Sequence, residues 1–260
     1  MRSYCLLIFA IVTLLSCSHI DESDRLIEVP YAKISKAVLI EDFTGQRCVN
    51  CPNAVLEIER LQQEYGKDNI VPVAIHSGPL AVYSNAKITG LRTQTGDDYY
   101  DYWNVEVEPS GLINRKGSVA LLSEWTSMVH QELQQETTII LSTQYQINET
   151  DEINIDVTAL AIQSFQGKLQ LWVTEDSITA PQMMPDGTMN TNYIHNHVFR
   201  TAINDSWGTD VNWQSGQTYT LTFKTKVENE WNREQLTIVA FVYNEDGVQQ
   251  VTTSNNKIIN

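Results

Sequence analysis

The sequence has 260 residues, of which 42% are hydrophobic and 19% charged, a composition that is typical of a folded protein and excludes a disordered chain. Its formal net charge is −15, which disfavours contact with phosphate backbones, so we expect no nucleic-acid partner. At roughly 150 residues per domain, the length predicts two domains.

Residues 1–16 have the pattern of a signal peptide. Arg2 gives a positive start, and Leu6 to Leu15 form an apolar run too short to span a bilayer. The run ends in Ser16 followed by Cys17, which resembles a bacterial lipobox with Cys17 as the acylated residue. An ordinary secretory signal followed by a chance cysteine is the alternative.

Residues 17–32 are predicted to be a lipid-anchored tether, because the stretch after Cys17 is polar and acidic. An acylated cysteine carries several chains, which suffices for stable membrane attachment. The predicted location is the cell envelope. The acidic tether resembles the surface-export signal of Bacteroidota lipoproteins, and the side the protein faces, periplasm or cell surface, stays open.

The four cysteines divide by position. Cys5 leaves with the signal peptide, Cys17 is the predicted lipidation site, and the folded part keeps Cys48 and Cys51. An exported protein with one close pair does not use disulfides as a general scaffold. The pair is therefore expected to serve a chemistry of its own.

Residues 33–136 are predicted to form an α/β domain. An apolar strand over 37–43 leads into the Cys-x-x-Cys pair, a helix follows over 53–65, and a second strand covers 70–75. This βαβ order predicts a parallel sheet with the two thiols at the first turn of the helix. The helix dipole there favours a thiolate over a thiol.

The rest of this domain is less regular. An insertion over 76–104 is predicted to end in a helix with Trp103 in the core. Pro109 then precedes a short strand at Leu112 and Ile113, and a helical pattern covers 119–135.

These motifs together resemble a thioredoxin-like domain. The shared pattern is Asp42-Phe43 shortly before the first cysteine, the Cys48-x-x-Cys51 pair, and Pro109 four residues after a valine. The resemblance implies that Pro109 is a cis-proline that faces the dithiol, prevents metal capture and holds a substrate strand against the sulfurs.

The resemblance also implies a role for each polar residue. Cys48 is the attacking thiol, because its sulfur is the more exposed in this geometry, and Cys51 resolves the mixed disulfide. Asp42 matches a buried acid that takes the proton of Cys51. The expected partners are protein thiols and disulfides, no cofactor is expected, and the oligomeric state stays open.

The sequence departs from this family pattern at three points. Val-Asn separates the cysteines instead of Gly-Pro, and Arg47 replaces the usual tryptophan. The charge of Arg47 is expected to lower the thiol pKa of its neighbour Cys48. Glu108 occupies a position that is commonly uncharged and would oppose this effect.

The cysteine pair has two other interpretations. A Cys-x-x-Cys pair is half of many zinc sites, but no second pair exists and His76 alone would complete the site poorly. A permanent structural disulfide on a thioredoxin-like fold is the stronger alternative.

Residues 137–260 are predicted to form an all-β sandwich, either Ig-like or jelly-roll-like. Alternation of apolar and polar residues begins at Ile139 and recurs in about seven segments that are separated by turn residues. The fold class is therefore an α/β thioredoxin-like domain followed by a β-sandwich.

One strand of the sandwich contains two histidines, in the run Tyr193 to Arg200. If they share a face of this strand, His195 and His197 have a spacing that a metal ion could use. Hydrogen bonding to a neighbouring loop is the more common role of such a pair, so no metal site is predicted.

The complete layout resembles the Bacteroidota lipoproteins called outer membrane protein 28-related. The motifs that carry this resemblance are the lipobox, Asp42-Phe-Thr-Gly with Cys48-x-Asn-Cys-Pro, Pro109-Ser-Gly, and His195-Asn-His with a following arginine. The resemblance implies an outer-membrane lipoprotein with a thioredoxin-like domain and a sandwich domain. The first functional hypothesis is a membrane-anchored thiol–disulfide oxidoreductase. The second is a non-catalytic, surface-exposed adhesion or binding lipoprotein with a structural disulfide.

Overall fold

The computed structural model describes residues 34–254 and the backbone of residues 257–259. The predicted signal peptide, the tether and Cys17 lie outside the described residues. The fold is mostly β-sheet, with three α-helices among the described residues.

The elements are numbered in chain order. The strands are β1 (Ile34–Ser35), β2 (Val38–Thr44), β3 (Ile70–His76), β4 (Ser110–Ile113), β5 (Ala120–Leu121), β6 (Glu136–Thr137), β7 (Ile139–Ile147), β8 (Glu152–Ala161), β9 (Phe165–Glu175), β10 (Ile178–Met183), β11 (Met189–His195), β12 (Val198–Ala202), β13 (Thr209–Trp213), β14 (Gln217–Lys226), β15 (Leu236–Asn244), β16 (Gly247–Thr253) and β17 (Lys257–Ile259). The helices are α1 (Cys51–Tyr65), α2 (Gln94–Tyr102) and α3 (Trp125–Leu133).

The predicted βαβ unit is confirmed. Strand β2 pairs in parallel with β3 along its whole length, and β4 pairs with its other side in the antiparallel sense. Helix α1 begins with Pro52 in its first turn and packs a stripe of Ala54, Ile58 and Leu61 against the sheet. It ends at Gly66, whose φ of 93° suits glycine.

The helix predicted over 119–135 is shorter than expected. Ala120 and Leu121 form β5 and pair with β4, and α3 begins at Trp125. The edge of β4 thus gains backbone hydrogen-bond partners from residues that have a helical pattern in the sequence.

The sheet that contains β2 continues beyond β3. Its strand order is β16-β15-β9-β12-β3-β2-β4-β5, and β12 joins β3 at a parallel pairing of Val198 with Ala74. Strands from both predicted domains therefore share one sheet. The domain boundary predicted after residue 136 stays a prediction.

A second sheet, of order β14-β8-β7-β17, covers one face of this long sheet. Strands β7 and β8 alternate between inward apolar and outward residues. Their inward side chains pack against Leu171 and Val173 of β9 and Ile238 of β15. The β-rich second half of the chain is therefore confirmed.

The single strand predicted over Tyr193 to Arg200 is wrong. Strand β11 ends at His195 and pairs with β10 as a hairpin, whereas β12 begins at Val198 in the long sheet. His197 lies between them with a φ of 57°. The chain turns at this residue, so the two histidines do not share one strand face.

Within the described residues, none of the helices is both long enough and apolar enough to cross a membrane.

A buried ion pair connects β2 with the segment after β4 and lies against aromatic rings from the second half of the chain. Arg115 donates from Nε and Nη2 to the two carboxylate oxygens of Glu41 at 2.7 and 3.1 Å. The guanidinium carbon lies 4.9 Å from the ring centre of Phe241 and 4.5 Å from that of Tyr243. The pair is thus enclosed by aromatic rings, where an unpaired charge would be costly.

We expect Glu41→Gln to lower the free energy of unfolding by about 3–5 kcal/mol, because Arg115 keeps its charge and loses its carboxylate. Chemical denaturation measures this loss. Glu57→Gln, at the solvent-open pair with Arg60, is the matched control and should change stability far less. Equal effects of the two substitutions would contradict the role given to the buried pair.

Candidate functional site

The cysteine pair lies between the carboxyl end of β2 and the start of α1. Cys48 and Cys51 form a disulfide, and Cys51 is the first residue of α1. Gly45 allows the loop to approach Leu80, because a Cβ at this glycine would lie 2.5 Å from the Leu80 carbonyl carbon. The predicted position of the pair is confirmed.

The expected difference in exposure between the two cysteines is wrong. Cys48 and Cys51 are each only 2% exposed. The sequence-based expectation considered the first 136 residues alone, whereas a later segment of the chain covers the loop that carries Cys48.

The covering segment is the β10–β11 hairpin. Gln182 Nε2 donates to the carbonyl oxygens of Cys48 at 2.9 Å and Gly45 at 3.3 Å. The Met183 N–H donates to the Gln46 carbonyl at 2.8 Å, and Gln46 Nε2 donates to the Pro181 carbonyl at 3.1 Å. These bonds fix the hairpin to the dithiol loop and were not foreseen, because no sequence motif links glutamines so far apart.

Pro109 has the cis peptide bond that the resemblance implied, and its contact with the dithiol stays a prediction. The Glu108–Pro109 peptide bond is cis, and the proline directly precedes β4. One carboxylate oxygen of Glu108, the residue before Pro109, lies within 4.8 Å of both sulfurs.

Asp42 is buried on β2 and lines the same cavity as Cys51. Its Oδ1 has no hydrogen-bond partner within residues 34–254. Burial, together with the nearby charge of Glu108, raises the pKa of Asp42 to about 8. Its carboxyl group is therefore mostly protonated at pH 7 and can exchange a proton close to neutral pH.

Glu108 is a second buried acid at this site. Neither of its carboxylate oxygens has a hydrogen-bond partner among the described residues. Burial raises the pKa of Glu108 to about 7, against a smaller opposing effect of Arg92. The sequence identified Glu108 as a departure from the family pattern but did not predict its distance to the sulfurs or its burial.

Arg47 is exposed to solvent, and its backbone N–H donates to the Leu80 carbonyl at 2.9 Å. Its influence on the thiol pKa of Cys48 stays a prediction.

The cavity beside Cys51 brings together residues from both halves of the chain. His76 of β3 and His195 of β11 line it with Asp42, and the two imidazole rings have their centres 5.2 Å apart. His76 Nδ1 and His195 Nε2 lack hydrogen-bond partners in the part of the chain that the structure describes. Burial lowers the pKa of His195 to about 4 and that of His76 well below its usual range, so both rings are neutral.

The histidines do not form the pair that their spacing suggested. His195 lines this cavity, whereas His197 Nδ1 lies 3.2 Å from Asp176. Among the described residues, the one set of three His, Cys, Asp or Glu ligand atoms within 4.8 Å of one another comes from Cys48, Cys51 and Glu108. Thiolates rather than disulfide sulfurs bind metals, so this set could hold an ion only after reduction.

Because Asp42 is buried, we expect the free energy of unfolding to depend on pH. An unfolded aspartate has a pKa near 3.9, so between about pH 4 and pH 8 the folded state binds more protons than the unfolded state. The free energy of unfolding therefore falls as pH rises, by up to about 1.4 kcal/mol per pH unit from this group.

We expect Asp42→Asn to lose less stability than the unsubstituted protein between pH 5 and pH 8. Urea unfolding with the disulfide intact measures the difference, and Asp68→Asn at an exposed position is the control. Parallel pH dependences of all three proteins would show that Asp42 does not titrate in this range.

Because the β10–β11 hairpin is bonded to the dithiol loop, we expect it to limit how fast a reductant reaches the disulfide. Gln182→Ala removes the side-chain bonds to the dithiol loop, so we expect reduction by dithiothreitol to become several-fold faster. Thr188→Ala, whose hydroxyl bonds to Asp186 within the hairpin turn, should leave the rate unchanged. An unchanged rate for Gln182→Ala would mean that the hairpin does not limit access to the disulfide.

Comparison with known proteins gives a family and a fold. The family model described as outer membrane protein Omp28 matches residues 96–258, more than half of the chain. The structure of HBP35 of Porphyromonas gingivalis is 14% identical, covers 86% of this chain and 76% of its own, and has a TM-score of 0.63. This likeness shows a shared fold alone.

A domain of the outer membrane lipoprotein Omp28 from Porphyromonas gingivalis is 21% identical and covers 46% of this chain and 90% of its own, with a TM-score of 0.34. No curated protein matches the chain. The family match over residues 96–258 is decisive: the chain belongs to the outer membrane protein Omp28 family, which confirms the outer-membrane location that the sequence predicted.

Proposed function

We propose that this protein is a thiol–disulfide oxidoreductase of the outer membrane, with a thioredoxin-like first domain and Cys48 and Cys51 as its redox pair. The observation that carries the proposal is the buried carboxyl group of Asp42, which lacks a hydrogen-bond partner among the described residues and lines one cavity with Cys51. A purely structural disulfide has no need of such a group. Burying an unpaired acid costs free energy, and acids with raised pKa values occur preferentially at functional sites.

The proposed reaction transfers two electrons between the cysteine pair and a client protein. In the reducing direction, the Cys48 thiolate attacks a client disulfide, a Cys48–client disulfide forms, and the first client thiolate leaves. The ionised form of Asp42 then takes the proton of Cys51, and the Cys51 thiolate attacks the Cys48 sulfur. The Cys48–Cys51 bond forms, the Cys48–client bond breaks, and the second client thiolate leaves with the proton from Asp42. The client gains two electrons from the cysteine pair and the two protons that the cysteine thiols gave up.

The other site residues have supporting roles in this proposal. Pro109 holds a client strand against the sulfurs, a role supported by its cis peptide bond to Glu108, whose carboxylate lies near both sulfurs. Arg47 lowers the thiol pKa of Cys48 through its charge. The partners are client proteins with thiols or disulfides, and a lipid on Cys17 attaches the protein to the membrane. The reaction needs no cofactor.

One observation favours a second candidate function. Both cysteines are 2% exposed, which is the burial expected of a structural disulfide in a surface-exposed adhesion or binding lipoprotein. The two candidates differ in whether Cys48 reacts with a foreign disulfide.

Trapping a mixed disulfide tests the proposal. We expect the full-length Cys51→Ser variant, reduced and mixed with a synthetic peptide that contains one disulfide, to accumulate a Cys48–peptide adduct visible by mass spectrometry. The unsubstituted protein should release the peptide in its reduced form. The Cys48→Ser variant should neither form the adduct nor reduce the peptide. If Cys51→Ser forms the adduct no faster than glutathione does, the oxidoreductase proposal fails and the binding lipoprotein stands.

A further inference from the structure

Glu108 occupies a position that the proposed reaction does not yet use. One of its carboxylate oxygens lies within 4.8 Å of the sulfurs of Cys48 and Cys51. Both oxygens are buried without a hydrogen-bond partner in the described part of the chain. The Gly78 loop closes over them, because a Cβ at Gly78 would lie 3.0 Å from Glu108 Oε1. Burying a carboxyl group beside a disulfide without a hydrogen-bond partner costs free energy. A chemical role for the group would explain why the protein bears this cost.

The two acids of the site are placed differently with respect to the two cysteines. Asp42 and Cys51 line the same cavity, and Cys48 is not among the residues that line it. Glu108 reaches the disulfide from the Pro109 side and lies close to both sulfurs. Asp42 is therefore the acid for Cys51, and Glu108 is the acid that remains for Cys48.

We propose that Glu108 is the acid–base partner of Cys48, so that each thiol of the redox pair exchanges its proton with a carboxyl group of its own. This inference rests on the proposed oxidoreductase function and assigns a residue that neither the family pattern nor the resemblance supplies.

The charges that face Glu108 suit this role. Asp42 is a nearby acid that is mostly protonated at pH 7, and Tyr100 contributes a weakly acidic hydroxyl from α2. Arg92 is the facing cation, but its Nε is bound to both carboxylate oxygens of Asp97 at 2.9 and 2.8 Å. Arg47 lies next to Cys48 on the dithiol loop and is open to solvent. Glu108 is thus left without a cation of its own and exchanges its proton near neutral pH.

The proton balance of the first step is then closed within the site. The Cys48 thiol gives its proton to the Glu108 carboxylate, and the resulting thiolate attacks the client disulfide. The Cys48–client bond forms, the client sulfur–sulfur bond breaks, and the departing client thiolate takes the proton from Glu108. Glu108 ends this step ionised, as it began. Cys51 and Asp42 carry the second proton in the same manner.

The test is the thiol titration of Cys48 in the Cys51→Ser variant of the full chain, followed by thiolate absorbance against pH. With Glu108 present, we expect the titration to spread over two inflections, because the thiol and the carboxyl share one proton. Adding Glu108→Gln should leave a single inflection. The thiol pKa of Cys48 should then be lower by about one pH unit, because the anionic neighbour is gone. Glu106→Gln, two residues earlier and exposed, is the matched control and should keep both inflections.

An unchanged Cys48 titration in Glu108→Gln overturns the inference. Should that variant fail to fold, carbon-13 NMR of glutamate carboxyl groups in the oxidised, unsubstituted protein decides instead. One carboxyl should titrate near neutral pH and shift after reduction, and the absence of any such group again overturns the inference. Neither measurement involves a client, so a failure here is distinct from a failure of mixed-disulfide trapping, which tests the oxidoreductase function itself.

Discussion

Strand β2 buries two neighbouring carboxyl groups, those of Glu41 and Asp42, and the two differ in whether a cation neutralises them. Glu41 faces the aromatic core and is neutralised by Arg115, so its charge is part of the structure. Asp42 faces the other side of the strand, towards the cavity beside Cys51, and its Oδ1 finds no partner among the described residues. Alternation along a strand is what separates the two. Glu41 stabilises the fold, and Asp42 lies near the end of the strand that leads to the disulfide.

The site depends on both halves of the chain. The βαβ unit supplies the disulfide, Asp42 and His76, while the β10–β11 hairpin supplies Gln182 and His195. The two parts also share one sheet through β12 and one core that contains Phe43 and Trp172. In the proposed reaction a client disulfide has to reach a sulfur beside the hairpin, and the bonds between the hairpin and the dithiol loop would resist that approach. Burial raises the pKa values of both acids, of Asp42 at the cavity that His195 of the hairpin also lines and of Glu108 under the Gly78 loop.

The local elements could be predicted because their signals are local. The βαβ unit follows from apolar runs and from Pro52 and Gly66 at the ends of α1, and the β7–β8 hairpin follows from strict alternation. The shared sheet could not be predicted, because β12 joins β3 through one pairing of residues more than a hundred positions apart. The break at His197 could not be predicted either, because a positive φ is uncommon for any residue other than glycine and histidine is only a weak indication of one.

The most direct measurement is the equilibrium reduction potential of the Cys48–Cys51 disulfide in the full chain, titrated against a thiol–disulfide buffer at pH 7. A redox-active pair should titrate reversibly between about −270 and −120 mV, the range of known oxidoreductases. A potential below about −300 mV, typical of structural disulfides, would contradict the account and leave the buried acids of the site without a redox role.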